Sequence, residues 1–374
     1  MRPVWAEIDL TAIKHNVETL RGLTKPGAMF MAVVKANGYG HGAIQVAEAA
    51  IAAGADRLGV ATIEEAMQLS DSGLLVPIHI LTEIPSSRGE LCAAINRGFI
   101  LTICREASAK ALSDAAIETG KVAKVHVKVD TGMNRLGISC NPDTSVVFIE
   151  YLLSLGNIDI EGIFSHFATA DDPASDFPRI QMERFNNVLN ELAVKKICPP
   201  VRHAANSAAI IAFPDSHLDM VRAGIAMYGL NPSPAMAGSA DIKTALSLKA
   251  RVSFVKDVPA GQGISYGLTY TTERDSRIAT LPLGYADGYS RVLSNKVEVL
   301  IKGKRAMNTG TICMDQFMAD VTDIKGIEAG DECVLIGRSG TDVITADDIA
   351  AKLGTINYEV VCAINSRVPR VYLT

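Results

Sequence analysis

Residues 29–54, MFMAVVKANGYGHGAIQVAEAAIAAG, hold one complete unit of the architecture. An apolar pulse at 29–34 leads to a lysine and a glycine-rich turn. A helical run follows, which Gly54 closes as a C-cap. The alternation then returns. Further pulses stand at 58–61, 78–81, 100–104, 125–129, 160–164, 201–203 and 220–222, which makes eight. Thr62 and Glu65 are spaced as a capping box for the next helix. Strand and helix alternating eight times predict a parallel (β/α)8 TIM-type barrel with its helices outside, within the α/β class.

The rhythm breaks at residues 232–241, PSPAMAGSAD, a linker in composition. Beyond it period two dominates: Leu248, Ala250, Val252 and Phe254 alternate with Lys249, Arg251 and Ser253. Runs such as PAGQG (259–263) and LPLGYADGY (281–289) punctuate the strands closely. This describes a mainly antiparallel β domain, interrupted by one helix starting at Thr345. The expected division is a barrel over 1–240 and a β domain over 241–374.

At 374 residues the chain is long enough for two such domains and buries a large core without staples. Lys plus Arg number 36 against 41 Asp plus Glu, a net charge of −5, which argues against a nucleic-acid binder. The seven cysteines include no Cys-x-x-Cys pair and read as reduced thiols of a cytoplasmic protein. The amino terminus carries no apolar signal core, and no apolar run is long enough to cross a membrane. None of the seven histidines forms a His-x-x-x-His pair, so no metal site is expected.

A barrel of this kind places its active site at the carboxyl ends of the strands. Lys35 follows the first pulse; Lys128, Asp130 and Arg135 lie near the fifth; Ser165 and His166 follow the sixth. Asn206 and Ser207 follow the seventh, and Arg222, Gly224 and Ile225 end the eighth. An amine at the edge of an apolar strand loses basicity and becomes nucleophilic, which suits covalent capture of an aldehyde. Taken alone, Lys35 reads more readily as a lysine whose stem lies along the strand end. Ser207 precedes a short helical run and reads as its N-cap. With Gly224 it stands where such barrels bind phosphate, although a plain cap and a plain turn explain both residues too. A covalent lysine beside a phosphate cradle points to pyridoxal phosphate. Arg222 could then face the pyridine nitrogen. As an obligate donor it leaves that nitrogen unprotonated, whereas an acid there would do the reverse.

These motifs are specific enough to compare. The chain resembles the alanine racemase family, pyridoxal-phosphate enzymes with a barrel and a carboxy-terminal β domain, from VWAEIDL (4–10) to NYEVVCAINSRVPRVY (357–372). AVVKANGYGHG (32–42) is similar to the cofactor-lysine motif. The resemblance implies that Lys35 carries the cofactor, and that Tyr39, Ser207, Gly224, Ile225 and Tyr358, with Asn206 alongside, hold its phosphate. It places Arg222 at the pyridine nitrogen, His166 beside the ring, and Arg135 at the ring hydroxyl and the substrate carboxylate. GISYG (263–267) is similar to the motif of the second base, giving that role to Tyr266. GTICMDQ (310–316) is similar to the substrate loop, with the Met314 N–H as donor between Cys313 and Asp315. Lys128 matches a lysine that many members carry carbamylated. The family is a head-to-tail homodimer, in which Tyr266 and Met314 would reach the partner's Lys35. Two small departures are Ala223 where Pro is usual and Gly38 where Ala is frequent.

The implied function is interconversion of L- and D-alanine, supplying D-alanine for peptidoglycan. Lys35 and Tyr266 would work as paired acid and base on opposite faces of the substrate. A serine or broad-specificity racemase shares nearly all these motifs. A pyridoxal-phosphate decarboxylase of the same architecture would carry Glu where RAGI (222–225) begins with Arg222.

Overall fold

The computed structural model describes residues 3–83 and 86–374. Eight parallel strands form a nearly closed barrel: β1 (Met29–Val33), β2 (Arg57–Val60), β3 (Ile78–Ile80), β4 (Ile100–Ile103), β5 (Ala123–Asp130), β6 (Ile158–Phe164), β7 (Val201–His203) and β8 (Met220–Ala223). Their hydrogen-bonded order runs β8-β1-β2-β3-β4-β5-β6-β7. Asp219 N–H to Arg202 O (3.0 Å) and Arg222 N–H to Ala205 O (3.1 Å) draw the last seam together, between β7 and β8. Strands β2 and β8 are buried at every position, as expected where helices cover one face and packed side chains the other.

The helices begin where the local chemistry says they should. Asn141 caps Pro142–Ser154 by accepting from Thr144 N, and Gly120 ends Glu106–Thr119 in a left-handed conformation. The Thr62 cap forms, with Glu65 N–H donating to its hydroxyl at 3.3 Å, but the box is only half made. Glu65 spends its carboxylate elsewhere, as described below. Ser207 is not an N-cap either. Asn206 caps Ser207–Ala212, accepting from Ala209 N–H at 3.0 Å, because its longer side chain reaches the third amide and frees the serine hydroxyl.

Two compact units form, and they are not consecutive stretches of chain. One comprises Ala12–Gly38 and Ala43–Lys243; the other comprises the described residues up to Thr11, Tyr39–Gly42 and Thr244–Thr374. In the second, Val4–Asp9 pairs antiparallel with Leu246–Arg251 and parallel with Arg370–Leu373. The same sheet continues through Glu332–Ser339 and Glu298–Ile301 to Lys304–Met307. Phe254–Val258, Ser276–Leu281 and Phe317–Asp320 make a separate antiparallel sheet. The alternation read through residue 254 breaks at Val252, so Phe254 opens this other sheet with its ring exposed. Two helices, Ala346–Leu353 and Asn357–Ala363, replace the single one expected. Among the described residues, no helix is long and apolar enough to cross a membrane.

Candidate active site

Lys35 leaves β1 into an unusual turn. Ala36, Asn37 and Gly38 all have φ between 52° and 60° with ψ between 47° and 50°, a single left-handed turn. Each non-glycine residue there costs about 1–2 kcal/mol, so neighbours must hold the turn. Glu65 does so, accepting from Ala36 N–H at 2.6 Å and Ala61 N–H at 2.7 Å, which is why its capping box stays incomplete. Asn37 accepts from Ala43 N–H at 3.1 Å, and Gly38 N–H donates to Val34 O at 2.8 Å.

Period two along β5 puts His126 and Lys128 on one face, toward the barrel interior. The Lys128 ammonium lies 4.6 Å from the centre of the Phe164 ring and is buried. Burial, then the charges of Arg222 and Arg135, hold its amine well below the ordinary lysine range, against the pull of Asp130. The turn that carries Arg135 closes on Asp130, whose carboxylate accepts from Gly132 N–H (2.9 Å) and Asn134 N–H (3.0 Å). Beyond β6, Ser165 donates to Val129 O at 2.9 Å, so Thr131 must donate to Ser165 across their 2.7 Å contact. Gln181 then donates to Thr131 Oγ1 and to His166 O, fixing the loop that presents His166.

Arg222 is buried at the centre of this group. It donates to His203 Nδ1 (2.8 Å), His166 Nδ1 (3.0 Å), Ser165 O (2.9 Å) and Ala204 O (2.9 Å). Burial and the charge of Arg135 lower its pKa to about 9. Burial, followed by Arg222, Lys128, Arg135 and Lys35, keeps His166 neutral well below the usual imidazole range. The Ser207 hydroxyl accepts from Gly224 N–H at 2.8 Å and Ala226 N–H at 3.4 Å. Ile225 opens a short 3₁₀ helix whose first amides have no partner within the helix.

The barrel therefore brings Lys35, Lys128, Arg135 and Arg222 close enough for their charges to bear on His166. Asn206, Ser207, Gly224 and Ile225 stand at the ends of the adjoining strands. The β unit carries a second set. GISYG and TGTICMDQ are laced together: Ser265 donates to Thr311 O (2.6 Å) and contacts Cys313 Sγ (3.3 Å), while Thr311 donates to Tyr266 O (2.8 Å). Tyr266 and Met314 are 70% and 53% exposed, aimed outward from this braced pair of loops. Tyr285 and Ala286 N–H groups donate to Cys313 O and Met314 O, an approach that only glycine at 284 permits. A Cβ there would lie 2.2 Å from Cys313 O. Arg367 joins Asp315 (2.6 Å) to Asp287 (3.5 Å). Tyr39 and Tyr358 face each other with ring centroids 6.2 Å apart.

Four residues that hold this geometry escaped the sequence reading: Glu65, Gln181, His126 and His203. His126 shares a strand face with Lys128, but neither histidine carries a local mark that separates a packed ring from a working one.

Residues 8–232 match the alanine racemase N-terminal domain model, and residues 245–372 match the alanine racemase C-terminal domain model. The chain belongs to the alanine racemase family. Alanine racemase of Halothermothrix orenii is 48% identical over 371 residues, covering 99% of this chain and 97% of that protein. That of Desulfovibrio desulfuricans is 47% identical over 372 residues, covering 100% and 98%. Among solved structures, alanine racemase of Clostridium difficile 630 superposes with a TM-score of 0.94 at 39% identity, covering 99% of this chain and 96% of that one. The Bacillus anthracis enzyme with bound L-Ala-P gives 0.93 at 37%, covering 100% and 96%.

Alanine racemases are isomerases that depend on pyridoxal 5′-phosphate. The residues of this racemase-family chain fit that group. Lys35, Arg135 and Arg222 bring three cationic groups to one barrel mouth beside Lys128 and His166. Such a surplus calls for anions, and a phosphate and a substrate carboxylate supply them.

The neutral histidines carry a pH consequence. Burial depresses His79, His126, His166 and His203 below the imidazole range, so the unfolded chain binds protons below pH ~6.5 that the folded chain refuses. Stability must fall as pH drops through that point, toward a limiting slope of about 1.4 kcal/mol per pH unit for each histidine whose folded-state titration lies well below it. Urea unfolding at pH 7 and pH 5.5 measures this, and equal midpoints would contradict it.

Proposed function

We propose that this chain racemises alanine as a cytoplasmic homodimer, providing D-alanine for peptidoglycan. When bound, pyridoxal phosphate supplies an aldehyde that captures an amine and a conjugated ring that spreads the charge left at the α-carbon. Lys35 Nζ holds the cofactor at rest and exchanges a proton with one face of the substrate. The Tyr266 phenol exchanges a proton on the other, each group acting as acid in one direction and base in the reverse. Arg135 and the Met314 N–H bind the substrate carboxylate. Ser207, Gly224, Ile225, Asn206, Tyr39 and Tyr358 take the phosphate, and Arg222 donates to the ring nitrogen.

The observation that carries this reading is Arg222. Buried and held by four acceptors, it is a fixed donor where a decarboxylase of this architecture would place an acid. A donor there restrains charge delocalisation into the ring, which favours simple return of a proton over side reactions. Lys128, whose amine burial makes less basic, is suited to add to carbon dioxide: its nitrogen forms the C–N bond and releases a proton, and the resulting carbamate pairs with Arg135. The dimer is supported by the exposure of Tyr266 and Met314 on braced loops, where a partner's site would use them.

Purified protein scanned with and without borohydride, then offered each enantiomer of alanine and of serine, tests the function. Interconversion of alanine with a cofactor fixed by borohydride is expected. Turnover of serine at least as fast as alanine would move the assignment to a broader racemase. Addition of ¹³C-bicarbonate should give one carbamate signal absent from Lys128→Ala; its absence in the unmodified chain would remove the carbamate.

A further inference from the structure

His79, His126 and His203 come from β3, β5 and β7 and meet inside the barrel, one ring nitrogen of each lying within 4.8 Å of the others. Three buried histidines suggest a metal site. The direction of their hydrogen bonds points elsewhere.

A guanidinium only donates. Arg222 Nη1 lies 2.8 Å from His203 Nδ1, so that nitrogen accepts, and the His203 proton sits on Nε2. His203 Nε2 lies 2.8 Å from His126 Nδ1, which must therefore accept in turn. The His126 proton then sits on Nε2, 3.0 Å from a carboxylate oxygen of Glu161. The series ends there. Glu161 is anchored by Arg57, which donates to both its oxygens at 2.7 and 3.3 Å. One donor at the site end and one acceptor at the far end thus set the tautomer of both imidazoles.

The same logic removes the metal. A metal at the centre of the three rings needs the His203 Nε2 lone pair, and Arg222 obliges that nitrogen to carry hydrogen. His79 stands outside the series: Thr102 donates to Ile80 O at 2.8 Å, so its hydroxyl accepts from His79 Nε2 at 3.2 Å. Among the described residues, His79 Nδ1 has no hydrogen-bond partner. The space for the relay is also built in, since a Cβ on Gly162 would come within 2.5 Å of the His126 ring.

We propose that Glu161 is a positioning residue for the racemase reaction, acting through His126 and His203 to keep an acceptor in front of Arg222. This rests on the function proposed above and assigns no contact between Glu161 and substrate or cofactor. Without the carboxylate, the His126 proton is free to move to Nδ1. His203 then loses its acceptor and can place its own proton on Nδ1, directly against the guanidinium.

Neutron diffraction, or ¹⁵N shifts of histidine-labelled holoenzyme, reads the protonation directly and needs no variant. Neutral His126 and His203, each protonated on Nε2, are expected. A proton on Nδ1 of either, an imidazolium at 203, or zinc retained in stoichiometric amount after dialysis would overturn the proposal. Function is read by a double-mutant cycle. Glu161→Ala should lower kcat by about 10-fold with KM little changed, the low end of the ~10- to 100-fold cost of groups one step from a site, because two histidines intervene. In an Arg222→Lys background the same change should cost under about threefold, because the relay has lost its target. Equal losses in both backgrounds would show that Glu161 acts by some other route. Wild-type protein that racemises alanine but shows the wrong tautomers overturns this inference alone, whereas wild-type protein that does not racemise alanine overturns the reading beneath it.

Discussion

The Lys35→Ala protein is expected to fold, to hold no cofactor that borohydride can fix, and to racemise alanine at least ~10⁴-fold more slowly than the unmodified chain. Two separate roles are lost in one substitution. The amine that would hold the aldehyde is gone, and so is the acid–base group on one face of the substrate. Folding should survive because other residues hold the strained turn. Glu65 and Asn37 hold its backbone through the amides of Ala36 and Ala43. A thermal midpoint within a few degrees of the unmodified chain, together with a lost absorbance band, is the signature. A fixed cofactor at full stoichiometry, or a rate within tenfold of the original, would show that another amine does this work; Lys128 would be the first suspect, given its burial and weakened basicity.

The barrel was legible in the sequence because its strands are buried on both faces. That turns each one into an apolar pulse, and eight pulses leave few other folds. The β unit was less legible. Its edges depend on pairing between distant segments, Val4–Asp9 with Arg370–Leu373 for instance, and nothing local in either segment announces the other. Phe254 was misplaced for a related reason. Alternation carries on in the sequence across a point where the chain changes sheets. Within the site, residues that end strands could be found by counting, whereas Glu65 could not. Its spacing from Thr62 fits a helix cap, and only the three-dimensional closeness of the Lys35 turn shows where the carboxylate is spent. His126 and Glu161 were hidden by their distance from the expected chemistry. A histidine on an inward strand face has no local mark that separates a packed ring from a member of a relay.

Tyr266→Phe tests the other half of the proposed chemistry, and it must be read with care. The two enantiomers of alanine have equal free energy, so the ratio of kcat/KM in the two directions is fixed at one for any variant. A lost base therefore slows both directions equally, by about 10²–10⁴-fold for a positioned acid–base group. The asymmetry appears in proton exchange instead. In deuterium oxide, one enantiomer should still exchange its α-hydrogen through Lys35 with retention of configuration. The other should exchange hardly at all. Cofactor content should stay near that of the unmodified protein, since the ring of residue 266 is 70% exposed in the chain and its hydroxyl is not assigned to the phosphate. Equal exchange of both enantiomers, or parallel loss of cofactor and activity, would sink the two-base reading. The proposed sharing of the site between protomers gives a second arm. Dimers of Lys35→Ala and of Tyr266→Phe are each inactive, but a mixed dimer has one site with both groups. Random reassortment makes half the dimers mixed and leaves one of their two sites intact, so about a quarter of full activity should return on mixing. If each chain used its own Tyr266 with its own Lys35, no mixed dimer would contain an intact site and mixing would restore nothing.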